Sequence, residues 1–305
     1  MNVRECFTPR KGYVYAQADY EQLELHTLAQ VCFRLYGYSV LGDVLNEGLD
    51  PHTELASEIL GIAPEQGRKR RKDKNDKEFD GARQLAKIAN FGLPGGMGAK
   101  RFLAALVQAG IEGATMALAQ KIKAAWLRRW PELALYFDRI ATLTSTPEGT
   151  CTLVDPFTGR VRGGVQYTNG CNDGFQSLGA AVAKEATWLV SKACYIGQKE
   201  PVMLGSRIVN MIHDELILEV PDDPRAHDVA KALERLMVVG ADKYLTDVKG
   251  KAPPLLMRYW SKNAEACFDE QDRLVPWEGV LCAAENCSKR ANRRLSGVWL
   301  CGSHV

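Results

Sequence analysis

The stretch Ile208–Val220, IVNMIHDELILEV, limits most sharply what this chain can fold into. Two runs rich in Ile, Leu and Val flank a polar His213-Asp214-Glu215, a pattern that predicts a β-hairpin with two carboxylates presented at its turn. Adjacent carboxylates in an otherwise apolar hairpin repel each other and lose hydration, and a divalent cation relieves both penalties. A solvated hairpin turn would leave the same letters. The hairpin alone does not separate the two readings.

With 305 residues, 46% of them hydrophobic and 25% charged, the chain can bury a substantial core and make two or three structural units. It has no apolar run of about 18 residues, and its start lacks the apolar core of a signal peptide, so a cytoplasmic protein without a membrane partner is expected. Nine cysteines, six of them scattered singly, suit a reducing compartment better than a disulfide framework. The net charge is only +2, so any polyanion must be met by local patches.

Tyr13–Asp19 reads as a strand that ends on an acid, and from Glu21 the period becomes helical. An acid there sits at the rim of a sheet, where ligands can reach it; a helix N-cap is the competing role for Asp19, and a surface helix acid for Glu24. Asp50-Pro51-His52 opens a helix running through Leu60. Arg68–Lys77 carries seven bases against two acids, which suits a solvated loop, a helix end or a phosphate contact. Arg83, Lys87, Asn90 and Phe91 fall within about 100° of arc on one helical face. Two cations and an aromatic with no interleaved acid make a poor salt-bridged surface and a good cradle for a triphosphate beside a stacked base. Pro94 should stop that helix. Helical patterns continue over 100–108 and 114–143, with Trp126, Trp130 and Phe137 as packing residues. Strand and turn signals span 150–165, Asn172, Gln176 and the small, apolar segment 177–190 suggest a helix whose start carries the two amides, an amphipathic helix spans 224–245, and 255–259 reads as a last strand.

Three motifs now stand in order: Asp19-Tyr20-Glu21-Gln22-Leu23-Glu24-Leu25, then Arg83-x3-Lys87-x2-Asn90-Phe91-Gly92, then His213-Asp214-Glu215. Together they resemble the three catalytic motifs of the family A DNA polymerases, over roughly residues 1–265. The resemblance implies an α+β fold: a palm of antiparallel sheet with helices (1–48 and 150–272) and inserted helical fingers (49–149); a small zinc-binding tail (273–305), which the family core lacks, is expected beyond them. The resemblance also implies template-directed transfer of dNTPs to a primer 3′ end with two magnesium ions; the setting expected beside it is phage DNA replication in the host cytoplasm. Asp19, Asp214 and a backbone carbonyl at Tyr20 would ligate magnesium, with Glu215 nearby. His52, Arg83 and Lys87 would hold the triphosphate, Lys87 would protonate the leaving pyrophosphate, and Phe91 would stack at the sugar and base. Glu24 matches a glutamate that fills the space a ribose 2′-hydroxyl needs; Asn172, Gln176 and Gln22 match amides that read the minor groove; His213 would sit beside the primer end. Expected partners are primer-template DNA, dNTPs, and a separate thumb- or exonuclease-bearing chain or processivity factor. The alternative is a catalytically weak remnant that binds DNA or a replication protein.

The sequence departs from the family pattern at several places. Gly95, preceded by Pro94, stands where the family has a tyrosine, and Thr168 where it commonly has an arginine. Only 18 residues precede Asp19, so a chain without thumb or 3′–5′ exonuclease is expected. Separately, Cys282-x4-Cys287-x13-Cys301-x2-His304 has the spacing of one closed, tetrahedral zinc site, against a tail with free cysteines. Lys289, Arg290, Arg293 and Arg294 lie between its ligand pairs.

Overall fold

The computed structural model describes residues 3–279, 284, 287, 291–295 and 298–301. Among them the elements run β1 (Tyr13–Asp19), α1 (Leu23–Tyr36), α2 (Val40–Asn46), α3 (Pro51–Leu60), α4 (Pro64–Arg70), α5 (Lys77–Gly92), α6 (Ala99–Gln108), α7 (Met116–Arg129) and α8 (Glu132–Thr144). They continue with β2 (Cys151–Val154), β3 (Val161–Val165), α9 (Tyr167–Ile196), β4 (Arg207–Ile212), β5 (Glu215–Pro221), α10 (Ala226–Asp242), β6 (Pro254–Met257), β7 (Cys267–Phe268), β8 (Leu274–Val275), β9 (Arg293–Leu295) and β10 (Val298–Leu300). The chain divides into two compact units: 1–21, 180–244 and 250–305 form one, 22–179 and 245–249 the other.

The first unit is built on an antiparallel sheet of order β4-β5-β1-β6, with α10 packed on β1 and β6. Neighbours on both edges bury β5 nearly throughout, which is why its apolar run shows no alternation, while β4 at the edge stays largely exposed. Gly240 lets α10 meet α9 at backbone distance: a Cβ there would lie 2.8 Å from the nitrogen of Ala186. A second sheet, β10-β9-β7-β8, follows. The strand expected at 255–259 is therefore not the last one; the segments after it are too short for a periodic signal.

The second unit is helical, with a β2-β3 hairpin. Asp50 caps α3 by accepting from the His52 backbone N–H at 3.1 Å, with Pro51 in the first turn and Gly61 closing it in the left-handed conformation. The helix expected over 114–143 is two helices. Pro131 has no N–H, and the extended Trp130 before it (φ −122°, ψ 71°) breaks the ladder. The helix expected to begin at Glu21 begins at Leu23, because Gln22 takes a left-handed backbone with φ 53° at the cap. The helix expected to start at the amides Asn172 and Gln176 and run through 190 is the 30-residue α9, so both amides lie inside it rather than at its start. Its glycines disguised it in the sequence, and they serve packing: a Cβ on Gly170 would come 2.9 Å from Ile140 Cγ2, and one on Gly174 would come 3.1 Å from the Tyr136 hydroxyl.

Candidate active site

Pairing of β1 with β5 sets the carboxylates. In that register Asp19 stands opposite Glu215, and the tight turn between β4 and β5 places Asp214 one residue earlier. His213 takes a left-handed backbone, φ 55°, to make the turn. The carboxyls of Asp19 and Asp214 lie within hydrogen-bonding reach of each other. Partial desolvation first, then the charges of Asp214 and Glu215, push Asp19 well above the usual carboxylate range. Desolvation raises Asp214 as well, so the pair holds a proton between them more readily than either would alone. Tyr20 is buried next to Asp19, and its hydroxyl donates to the Met237 carbonyl at 2.5 Å.

Glu215 faces a different environment. Its carboxylate is buried, accepts a hydrogen bond from Trp260 Nε1 at 3.2 Å, and has Arg4 at 3.9 Å. Arg4 lies over the Trp260 ring, 4.4 Å from its centroid. Neither Arg4 nor Trp260 carried a sequence signal, because each meets Glu215 only through folding.

Among the described residues no group of three or more His, Cys, Asp and Glu side chains forms a metal cage. The Asp19–Asp214 pair nevertheless fits magnesium. That ion is held through one or two carboxylates and keeps water or substrate oxygens for its remaining positions, and two like charges in contact are what a cation relieves.

In the second unit α3 and α5 assemble the cationic group. Arg83 Nε donates to Asp50 Oδ2 at 2.7 Å, Lys87 is exposed one turn on, and Phe91, 45% exposed, lies against His52 with ring centroids 5.4 Å apart. The face expected to lack an acid therefore has one in three dimensions, supplied by the cap of α3. Burial alone would raise Asp50, but the hydrogen bonds from Arg83 and Thr53 hold it below the usual carboxylate range. His52 is 3% exposed; burial, against the pull of Asp50 and with the push of Arg83 and Lys87, brings its pKa down to about 4. In the basic run, Arg68 pairs with Glu54 and Glu65, and Arg70 with Asp76 and Glu78.

Glu24 is exposed in the first turn of α1, and the buried Oε1 of Gln22 meets no hydrogen-bond donor among the described residues. Gln176 is exposed on α9, and Asn172 Nδ2 donates to the Thr168 carbonyl at 2.9 Å. A Cβ on Gly95 would meet Asn172 Nδ2 and Oδ1 at 2.9 Å, so a side chain there requires the Asn172 amide to shift. Of the four expected zinc ligands, Cys282 and His304 lie outside the described residues, while Cys287 Sγ and Cys301 Sγ are 3.7 Å apart.

The family model for DNA polymerase family A matches residues 1–252. The chain belongs to DNA polymerase family A. Thermostable DNA polymerase I of Thermus filiformis is 30% identical over 247 residues, which is 78% of this chain and 26% of that protein. DNA polymerase I of Aquifex aeolicus is 25% identical over 86% of this chain and 42% of its own length. The chain thus spans between a quarter and under half of these family A relatives. The fold is similar to that of the POL domain of Pol1 from M. smegmatis, solved in complex with DNA primer-template and dNTP, with a TM-score of 0.64 at 21% identity over 85% of this chain and 42% of that one. Family A polymerases use divalent metals such as magnesium. No helix among the described residues is long and apolar enough to cross a membrane.

Proposed function

We propose that this chain carries out template-directed DNA synthesis, adding dNTPs to a primer 3′ end. The observation that carries the reading is the contact of Asp19 with Asp214, created by β1–β5 pairing in a chain of this family. On this reading 1–48 and 150–272 serve as palm and 49–149 as fingers, a division by role rather than by compactness. Asp19 and Asp214 hold magnesium, together with the Tyr20 carbonyl. Two bound magnesium ions would activate the primer hydroxyl and stabilise the leaving pyrophosphate. Arg83 and His52 hold the triphosphate, Lys87 gives a proton to the departing pyrophosphate, and Phe91 stacks at the sugar and base. Glu24 excludes a 2′-hydroxyl. Gln22, Asn172 and Gln176 test base-pair geometry from the minor groove, and His213 lies at the primer end.

The test is primer extension by the full chain with magnesium and dNTPs, alone and with a candidate thumb-bearing chain. The expected result is extension that Asp214→Ala abolishes and ribonucleotide incorporation that rises with Glu24→Ala. Extension unchanged by Asp214→Ala would remove the metal assignment.

A structural zinc ion held by Cys282, Cys287, Cys301 and His304 is the second part of the reading. It is supported by the 3.7 Å between Cys287 Sγ and Cys301 Sγ. A disulfide bond is about 2.0 Å long, whereas two sulfurs on one tetrahedral zinc with bonds of about 2.3 Å stand roughly 3.8 Å apart.

A further inference from the structure

Asn90 is a buried amide of the helical unit with hydrogen-bond partners on both its oxygen and its nitrogen. It is 1% exposed, on α5, amid Trp126, Trp130 and the start of α3. Its Oδ1 accepts from Trp126 Nε1 at 3.0 Å and from Trp130 Nε1 at 3.2 Å, and its Nδ2 lies 3.3 Å from the Pro51 carbonyl and 3.0 Å from His52 Nδ1. The orientation of the amide follows from chemistry. An indole nitrogen only donates and a peptide carbonyl only accepts, so the oxygen must face the tryptophans and the NH2 must face Pro51 and His52. His52 Nδ1 then meets a donor and must accept.

An imidazole that accepts at Nδ1 carries its proton at Nε2. An imidazolium would turn N–H against N–H, and the burial that lowers the pKa of His52 disfavours it further. Nε2 takes no hydrogen bond among the described residues, nor is it left as a buried atom without a partner. The Phe91 ring beside His52 restricts how the imidazole can turn.

We infer that Asn90, clamped by Trp126 and Trp130, is a positioning residue that holds His52 as its Nε2–H tautomer, so that His52 offers the incoming triphosphate a neutral hydrogen-bond donor rather than a cation. The inference rests on the reading of His52, Arg83 and Lys87 as the triphosphate cradle. In it Arg83 and Lys87 supply the charge and His52 the direction. A neutral imidazole keeps its Nε2 proton from pH 6 to pH 8, whereas a titrating imidazolium would lose its charge across that interval.

The tautomer can be read without turnover. Long-range 1H–15N correlation on the 15N-labelled full chain, with His52 assigned by difference from His52→Gln, should show Nδ1 bare and Nε2 protonated at pH 7. Protonated Nδ1, or an imidazolium, overturns the inference, and this measurement needs no variant at Asn90 to fold. Asn90→Asp keeps an oxygen for the tryptophans and replaces the donor by an acceptor. It should move the His52 proton to Nδ1 and raise KM for dNTP about tenfold with kcat within about twofold. An unchanged tautomer in a folded Asn90→Asp chain overturns the positioning role. Adding dNTP without magnesium should shift the Nε2–H resonance, and no shift overturns donation to phosphate. Failure of primer extension while that shift is seen would count against the polymerase reading alone.

Discussion

Asp19, Asp214 and Glu215 are three acids at one end of the β1–β5 pairing, yet their surroundings make them chemically unlike. Asp19 and Asp214 face each other and compete for a proton, whereas Glu215 is turned into a pocket with a donor from Trp260 and the charge of Arg4. Asp214→Ala should therefore lower the extension rate by at least about a hundredfold, more than loss of a group that only supports a ligand. Glu215→Gln retains an acceptor for Trp260 Nε1 and should cost no more than about tenfold in the same assay. Equal losses would make Glu215 a ligand in its own right. His52 gives a second test at this scale. Its folded pKa of about 4 lies below the ordinary value of 6.5, so the unfolded chain binds the proton first as pH falls. Stability should be whole above about pH 6.5 and decline toward pH 4, by up to about 3 kcal/mol from this group. Urea midpoints of the parent should drop between pH 7 and pH 5 by more than those of His52→Gln, and parallel drops would show that the imidazole is not the source.

The close crossing of α9 and α10 in the sheet-bearing unit depends on Gly240. Its absent Cβ would meet backbone atoms of Ala186 rather than a side chain that could swing away. Gly240→Ala gains intrinsic helix propensity, yet the clash should win and destabilise by about 1–3 kcal/mol, measurable as a lower urea midpoint. A rise in midpoint would mean that the helices can separate at little cost. The elements most legible in the sequence carried their own punctuation. β1 ended on Asp19, α3 opened on Asp50-Pro51, α5 stopped before Pro94, and the hairpin showed two apolar runs around a polar turn. The elements misjudged were those whose local letters serve neighbours. The glycines of α9 admit Ile140 and Tyr136, and Gln22 bends the chain between β1 and α1 in a conformation its side chain does not announce. The same division holds for the site. Acids and bases with helical or strand spacing were readable, whereas Asp50 beside Arg83, Asn90 beside His52, and Trp260 beside Glu215 come from distant parts of the chain.

At the scale of the whole chain, the family match ends at residue 252, while the described structure continues with its own stabilising contacts. Trp277 is 2% exposed and bridges to Met257, the Leu274 backbone N–H donates to His227 Nδ1 at 2.8 Å, and Arg273 donates to the Pro224 carbonyl at 2.9 Å. Through residue 279 the tail is thus fastened to α10 and to the main sheet by ordinary burial and hydrogen bonding. Beyond it, β9 and β10 pair over three residues each and join β7 at a single register pair, Phe268 with Arg293, a short hairpin on a narrow attachment. If zinc joins the cysteines that flank this hairpin, its order is metal-dependent while that of the preceding segments is not. Stripping zinc with a chelator and then applying brief proteolysis should cleave the chain after residue 279 and leave a resistant fragment ending near it. The intact, zinc-loaded chain and the chain re-supplied with zinc should resist at the same sites. Cys301→Ser should behave like the stripped chain even with zinc present. Cleavage that ignores zinc, or a loss of protection that spreads into 254–279, would separate the tail's order from the metal and return Cys287 and Cys301 to being two reduced thiols in a packed hairpin.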